Sequence, residues 1–74
     1  MDIKIGFSDS ARELVVASDQ TQDEVLKLVK TAFADDAGVL QLVDKKGRQY
    51  VVRNSRIVYV EVGTTTAQQV GFAG

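Results

Sequence analysis

The sequence predicts a small α+β domain with element order ββαβββ, one helix packed on a mostly antiparallel sheet. Three observations predict it: apolar residues alternate with period two at the N-terminus, the period lengthens to that of a helix after Thr21, and three β-branched runs follow Gly38. With 74 residues there is room for one domain and none for a second lobe. Val, Ile, Leu and Phe supply 23 of them, well above the level at which a chain fails to bury enough surface to fold.

In the first strand Ile3, Ile5 and Phe7 alternate with Asp2, Lys4 and Gly6, as a strand with one buried face requires. Ser8-Asp9-Ser10 reads as a turn, and Arg12 to Ala17 runs back as a second strand with Leu14 and Val16 on one side. From Thr21 an apolar stripe forms at helical spacing: Val25, Leu28, Val29, Ala32 and Phe33. Thr21-Gln22-Asp23-Glu24 fits a capping box at its start, and Gly38 is the expected stop, able to adopt the left-handed conformation.

Val39–Val43 and Gln49–Arg53 flank Asp44-Lys45-Lys46-Gly47, which suits a type I turn with Gly47 in the left-handed position of a bulge. That loop sets Asp44 opposite Arg48, Leu42 opposite Tyr50 and Leu40 opposite Val52. Arg56 to Gly63 supplies a fifth strand, expected to complete a meander through a three-residue loop, Asn54 to Arg56. Val58, Val60 and Val62 then share the Leu40/Leu42 face, which keeps Glu61 out of the core. The helix stripe is expected to meet Ile3, Ile5, Leu14, Val16, Leu40, Leu42, Val52, Val58 and Val60. A β-grasp-like or partly closed barrel arrangement accommodates this order. Residues 1–63 read as the domain and residues 64–74 as a C-terminal tail, flexible or adding an edge strand through Val70 and Phe72.

The chain has no Cys and no His, which removes thiolate nucleophiles, disulfides, imidazole bases and the metal sites built on those ligands. It has no P-loop and no dinucleotide fingerprint, and no Ser or Thr is spaced to an evident base. A non-enzymatic protein without a cofactor is expected. No apolar run approaches a membrane span, and Met1-Asp2-Ile3-Lys4 is too polar for a signal peptide, so the expectation is a soluble cytoplasmic protein.

Net charge is −1, but residues 1–36 carry −4 and residues 37–74 carry +3. All five bases of the second half, Lys45, Lys46, Arg48, Arg53 and Arg56, fall within twelve positions. Solubilising residues at turns account for most such groups. The functional alternative is an anion site in which Arg48, Arg53 and Arg56 bind phosphate, because guanidinium forks engage it bidentately. Asp35-Asp36 stands at the negative end of the helix, where a cation would offset it, although a solvated turn accounts for the pair without one. The outer face of the expected meander shows Val39, Val43, Val51, Ile57 and Tyr59, more apolar than a solvated face usually is.

Taken in order, Ile3-Lys4-Ile5-Gly6, Arg12-Glu13-Leu14, Ser18-Asp19, Asp44-x-x-Gly47-Arg48, Ile57-x-Tyr59-Val60-Glu61-Val62-Gly63 and Val70-Gly71-Phe72 resemble a family of short actinobacterial proteins. That family is known only as a domain of unknown function (the 3107 type), and some members carry an ATP-binding label. The resemblance implies a cytoplasmic, single-domain bacterial protein. The sequence departs from the family pattern at Gln68-Gln69, where an Arg pair is usual, and at Arg53, where Pro is frequent.

Two functions follow as expectations. The first is a protein-interaction module, self-associating or binding a partner protein through Val51, Ile57 and Tyr59. The alternative is nucleotide (ATP) or RNA binding through Arg48, Arg53 and Arg56.

Overall fold

A computed structural model of the chain describes residues 1–64. The elements are β1 (Asp2–Phe7), β2 (Ser10–Ala17), α1 (Gln22–Phe33), β3 (Val39–Val43), β4 (Gln49–Arg53), a single 3-10 turn (Asn54–Arg56) and β5 (Ile57–Val62). This is the expected ββαβββ order in an α+β fold. The expected tail strand at Val70 and Phe72 lies outside the described residues.

The strands form two antiparallel sheets, one of order β2-β1-β5 and one of β3-β4, and they do not close into a barrel among the described residues. The β1–β2 hairpin pairs Ile3 with Val16 and Ile5 with Leu14. On the other side of β1, Ile3 pairs with Val62 and Ile5 with Val60. One face of this sheet thereby collects Ile3, Ile5, Val16, Leu14, Val60 and Val62.

In the second sheet Leu40 faces Val52 and Leu42 faces Tyr50, the register that the turn residues predict. Gly47 takes φ 85°, which only glycine adopts without strain. Asp44 Oδ1 accepts from the Lys46 N–H at 2.9 Å and the Arg48 N–H at 2.8 Å, closing the loop from inside.

At the helix start, the Thr21 hydroxyl accepts from the Glu24 N–H at 3.2 Å and the Glu24 carboxylate accepts from the Thr21 N–H at 3.0 Å. The expected capping box is complete. Val25, Val29 and Ala32 turn inward and meet Ile3, Ile5, Val16, Leu40 and Leu42 in one core, with Val52 also buried. Burying such side chains is worth about 1.5–3 kcal/mol each.

Three expectations are corrected. The fifth strand pairs with β1, not with β4. The reason lies in the 3-10 turn, which carries the chain from one sheet to the other. Its Asn54 donates backbone N–H to the Gly38 carbonyl at 3.1 Å and side-chain Nδ2 to the Asp35 carbonyl at 2.7 Å. At its far end the Arg56 carbonyl accepts from the Ser8 N–H at 2.9 Å, beside the β1–β2 turn.

The second correction concerns burial. The register of β1 and β5 shifts between Gly6/Phe7 and Tyr59/Ile57, leaving Val58 as an unpaired bulge residue, 60% exposed and outside the core. Leu28 and Phe33 are exposed as well, because a two-stranded β3–β4 sheet is too narrow to cover the whole helix stripe. The third is the helix stop. α1 ends at Phe33, where the Ala34 N–H is shared between the Lys30 and Thr31 carbonyls at 3.2 Å, and Gly38 is not left-handed. Gly38 is instead a point of close approach: a Cβ there would lie 2.7 Å from Asp35 Oδ2.

Candidate functional site

The two sheets are joined through the 3-10 turn at one end of β4 and tied by a backbone bond at the other. The Lys45 N–H donates to the Ala17 carbonyl at 2.8 Å, tying the tip of the β3–β4 hairpin to the end of β2. Away from that tie, β2 and β4 do not pair, and an open cleft of about 500 Å³ lies between them. Its apolar lining is Phe7, Leu14, Val51 and Val52, and Asp9, Arg53 and Arg56 complete it. Arg56 is ion-paired with Asp9. Arg53 forms no ion pair among the described residues. It also borders a second depression with Asp36, Gly38 and Ser55.

Arg53 and Arg56 are therefore brought together with Val51. Arg48 is not: it sits at the opposite end of β4, beside the Asp44 loop. There, partial burial works to raise the Asp44 carboxyl. The N–H groups of Arg48 and Lys46, the Tyr50 hydroxyl and the Arg48 charge outweigh it and hold the group below its ordinary 3.8.

The other three residues expected to share a face are split. Val51 projects from the outer face of β4, 62% exposed, with Val39 and Val43 of β3 beside it at 56% and 41%. Ile57 is half-buried against the core. Tyr59 lies on the outer face of the other sheet, opposite Gly6, and its hydroxyl donates to the Glu13 carboxylate on β2. That bond to Glu13, then desolvation and the charges of Glu13 and Glu61, push the phenol above its ordinary 10.0. A Cβ at residue 6 would fall inside the Tyr59 ring, so Gly6 is what lets the ring cross β1.

Sequence reasoning missed Phe7, Asp9 and Leu14 as cleft residues and Glu13 as the partner of Tyr59. Arg56 and Asp9 are 47 positions apart and Tyr59 and Glu13 are 46 apart, so no local pattern announces either contact. The Asp35-Asp36 pair has a local explanation, since Asp35 Oδ1 accepts from the Ala37 N–H at 3.2 Å. Among the described residues no group of three or more His, Cys, Asp or Glu is placed to hold a metal ion, and no helix is long and apolar enough to cross a membrane.

No curated protein matches the chain. A family model described as a protein of unknown function (DUF3107) matches residues 1–73, and the chain belongs to that family.

Proposed function

We propose that the chain is a small non-enzymatic interaction module of the cytoplasm that self-associates through the outer face of the β3–β4 sheet. The observation that carries this reading is the row of Val39, Val43 and Val51, which project from a two-stranded sheet that no other element among the described residues covers on that side. Exposed valines grouped on one sheet face gain by burial against a like surface, and a second copy supplies one with matching shape. The near-zero net charge imposes little repulsion between copies. Ile57 and Tyr59 take no part, the first being packed inward and the second engaged with Gly6 and Glu13. The test is mass by light scattering across a range of concentrations. The expected result is a rise toward twice the monomer mass that Val51→Glu abolishes without loss of folded signal. A constant monomer mass for the natural sequence overturns the reading.

A second reading is nucleotide (ATP) or RNA binding, and Arg53 favours it because its guanidinium has no acidic partner among the described residues. The pairing of Arg56 with Asp9 and the distant placement of Arg48 weigh against it. It predicts salt-sensitive binding that Arg53→Ala weakens, and a flat ATP and RNA titration at low salt removes it.

A further inference from the structure

The cleft between β2 and β4 is bounded by two strand edges that pair with no further strand among the described residues, the Lys45 bond to the Ala17 carbonyl being the tie between them. Across β1–β2, Met1 and Ser18 exchange bonds, the Ser18 N–H reaching the Met1 carbonyl at 2.8 Å and the Met1 amino group the Ser18 carbonyl at 3.3 Å. Bonded rungs of an antiparallel ladder recur every second residue, so Val16 and Leu14 face β1, while Ala17 and Val15 direct N–H and C=O outward. The Ala17 carbonyl does so visibly, accepting from Lys45. In the second sheet the Asn54 N–H to Gly38 carbonyl bond (3.1 Å) and the Asp44 N–H to Arg48 carbonyl bond (2.9 Å) fix the same alternation. Val52 and Tyr50 are thus bonded to β3, and Gln49, Val51 and Arg53 direct their backbone groups away from it, toward the cleft.

We infer that the edge of β4 left unpaired among the described residues receives an extended acidic-apolar segment of a partner protein, added as a strand. This deepens the interaction-module reading by naming a partner chemistry, but it uses the edge of β4 and not its outer face. Three features carry it. The outward N–H and C=O groups of Val51 and Arg53 are the template that strand addition requires. The cleft beside them has a mixed lining in which Phe7, Leu14 and Val52 form an apolar patch, and that patch takes side chains from the inward positions of an added strand. On the outward face Arg53 is a guanidinium without an acidic partner among the described residues, and a directly opposed carboxylate supplies one. Arg56 adds to the positive rim but is already matched by Asp9, which makes Arg53 the selective residue.

The test is a fluorescence titration of the full chain with a labelled peptide of alternating Val and Glu, set against its Val-Lys counterpart and a version N-methylated at alternate residues. The expected result is saturable binding of the Val-Glu peptide alone, weakened at least about tenfold by Arg53→Glu through like-charge opposition. Arg53 is exposed, so that variant keeps the fold, which the unchanged circular dichroism spectrum checks. Equal binding of the N-methylated peptide shows contact with a face and not an edge, and overturns the inference. So does a flat titration with the Val-Glu peptide, or binding indifferent to Arg53→Glu. A mass increase with no peptide binding leaves only a second copy as occupant and overturns it too. Because self-association is read by the Val51→Glu mass measurement, the two readings fail separately.

Discussion

Tyr59 spans three strands because residue 6 has no side chain. Its ring crosses β1 over Gly6 and its hydroxyl reaches Glu13 of β2. Gly6→Ala drives a methyl group into that ring, and the expected cost is about 1–3 kcal/mol by urea denaturation, most of it recovered in the double variant Gly6→Ala/Tyr59→Ala. The same contact has a pH signature. The Glu13 bond, together with desolvation and the nearby acids, favours the neutral phenol, raising its folded value above 10.0. The stabilisation is therefore complete below pH 10.0 and is lost as pH rises through the raised folded value. The stability difference between the natural chain and Tyr59→Phe, followed by denaturation across alkaline pH, should be constant at neutral pH and shrink above 10.0. A difference that stays constant into the alkaline range would detach Glu13 from the titration of Tyr59.

Elements whose signals are local were legible in the sequence, and those set by distant contacts were not. The capping box at Thr21 is a four-residue pattern, and Thr21→Ala is expected to cost about 1 kcal/mol in equilibrium unfolding, since the Glu24 N–H loses its acceptor. Gly47 and Asp44 likewise set the β3–β4 register from inside a single loop. The partner of β5 is different in kind. A short connection between two β-branched runs ordinarily makes a hairpin, and nothing in Asn54-Ser55-Arg56 itself says otherwise. Asn54 changes the outcome by binding the backbone of Asp35 and Gly38, far back in the chain, and Arg56 does so by binding near Ser8 and Asp9. The candidate site divides in the same way. Arg53, Arg56 and Val51 stood out from the sequence as charged or exposed residues, but that they share a cleft with Phe7 and Leu14 follows from the sheet change at Asn54.

In the whole molecule, β1 is the one strand among those described with partners on both sides, and the core gathers on its Ile3 and Ile5. Native-state hydrogen exchange should find the slowest strand amides at Ile3, Lys4 and Ile5 and the fastest at Val51 and Arg53, whose N–H groups face the open cleft. Comparable protection at both places would mean that the cleft closes in solution. The central position of β1 also has a bearing on biosynthesis. As the chain emerges from the ribosome, the β1–β2 hairpin and then the helix appear early, but the strand that covers the second side of β1 is made last of the described strands, with Ile3 waiting for Val62. Native assembly is therefore a late, concerted event, and until it happens a nascent chain carries a naked isoleucine strand of the kind that chaperones hold.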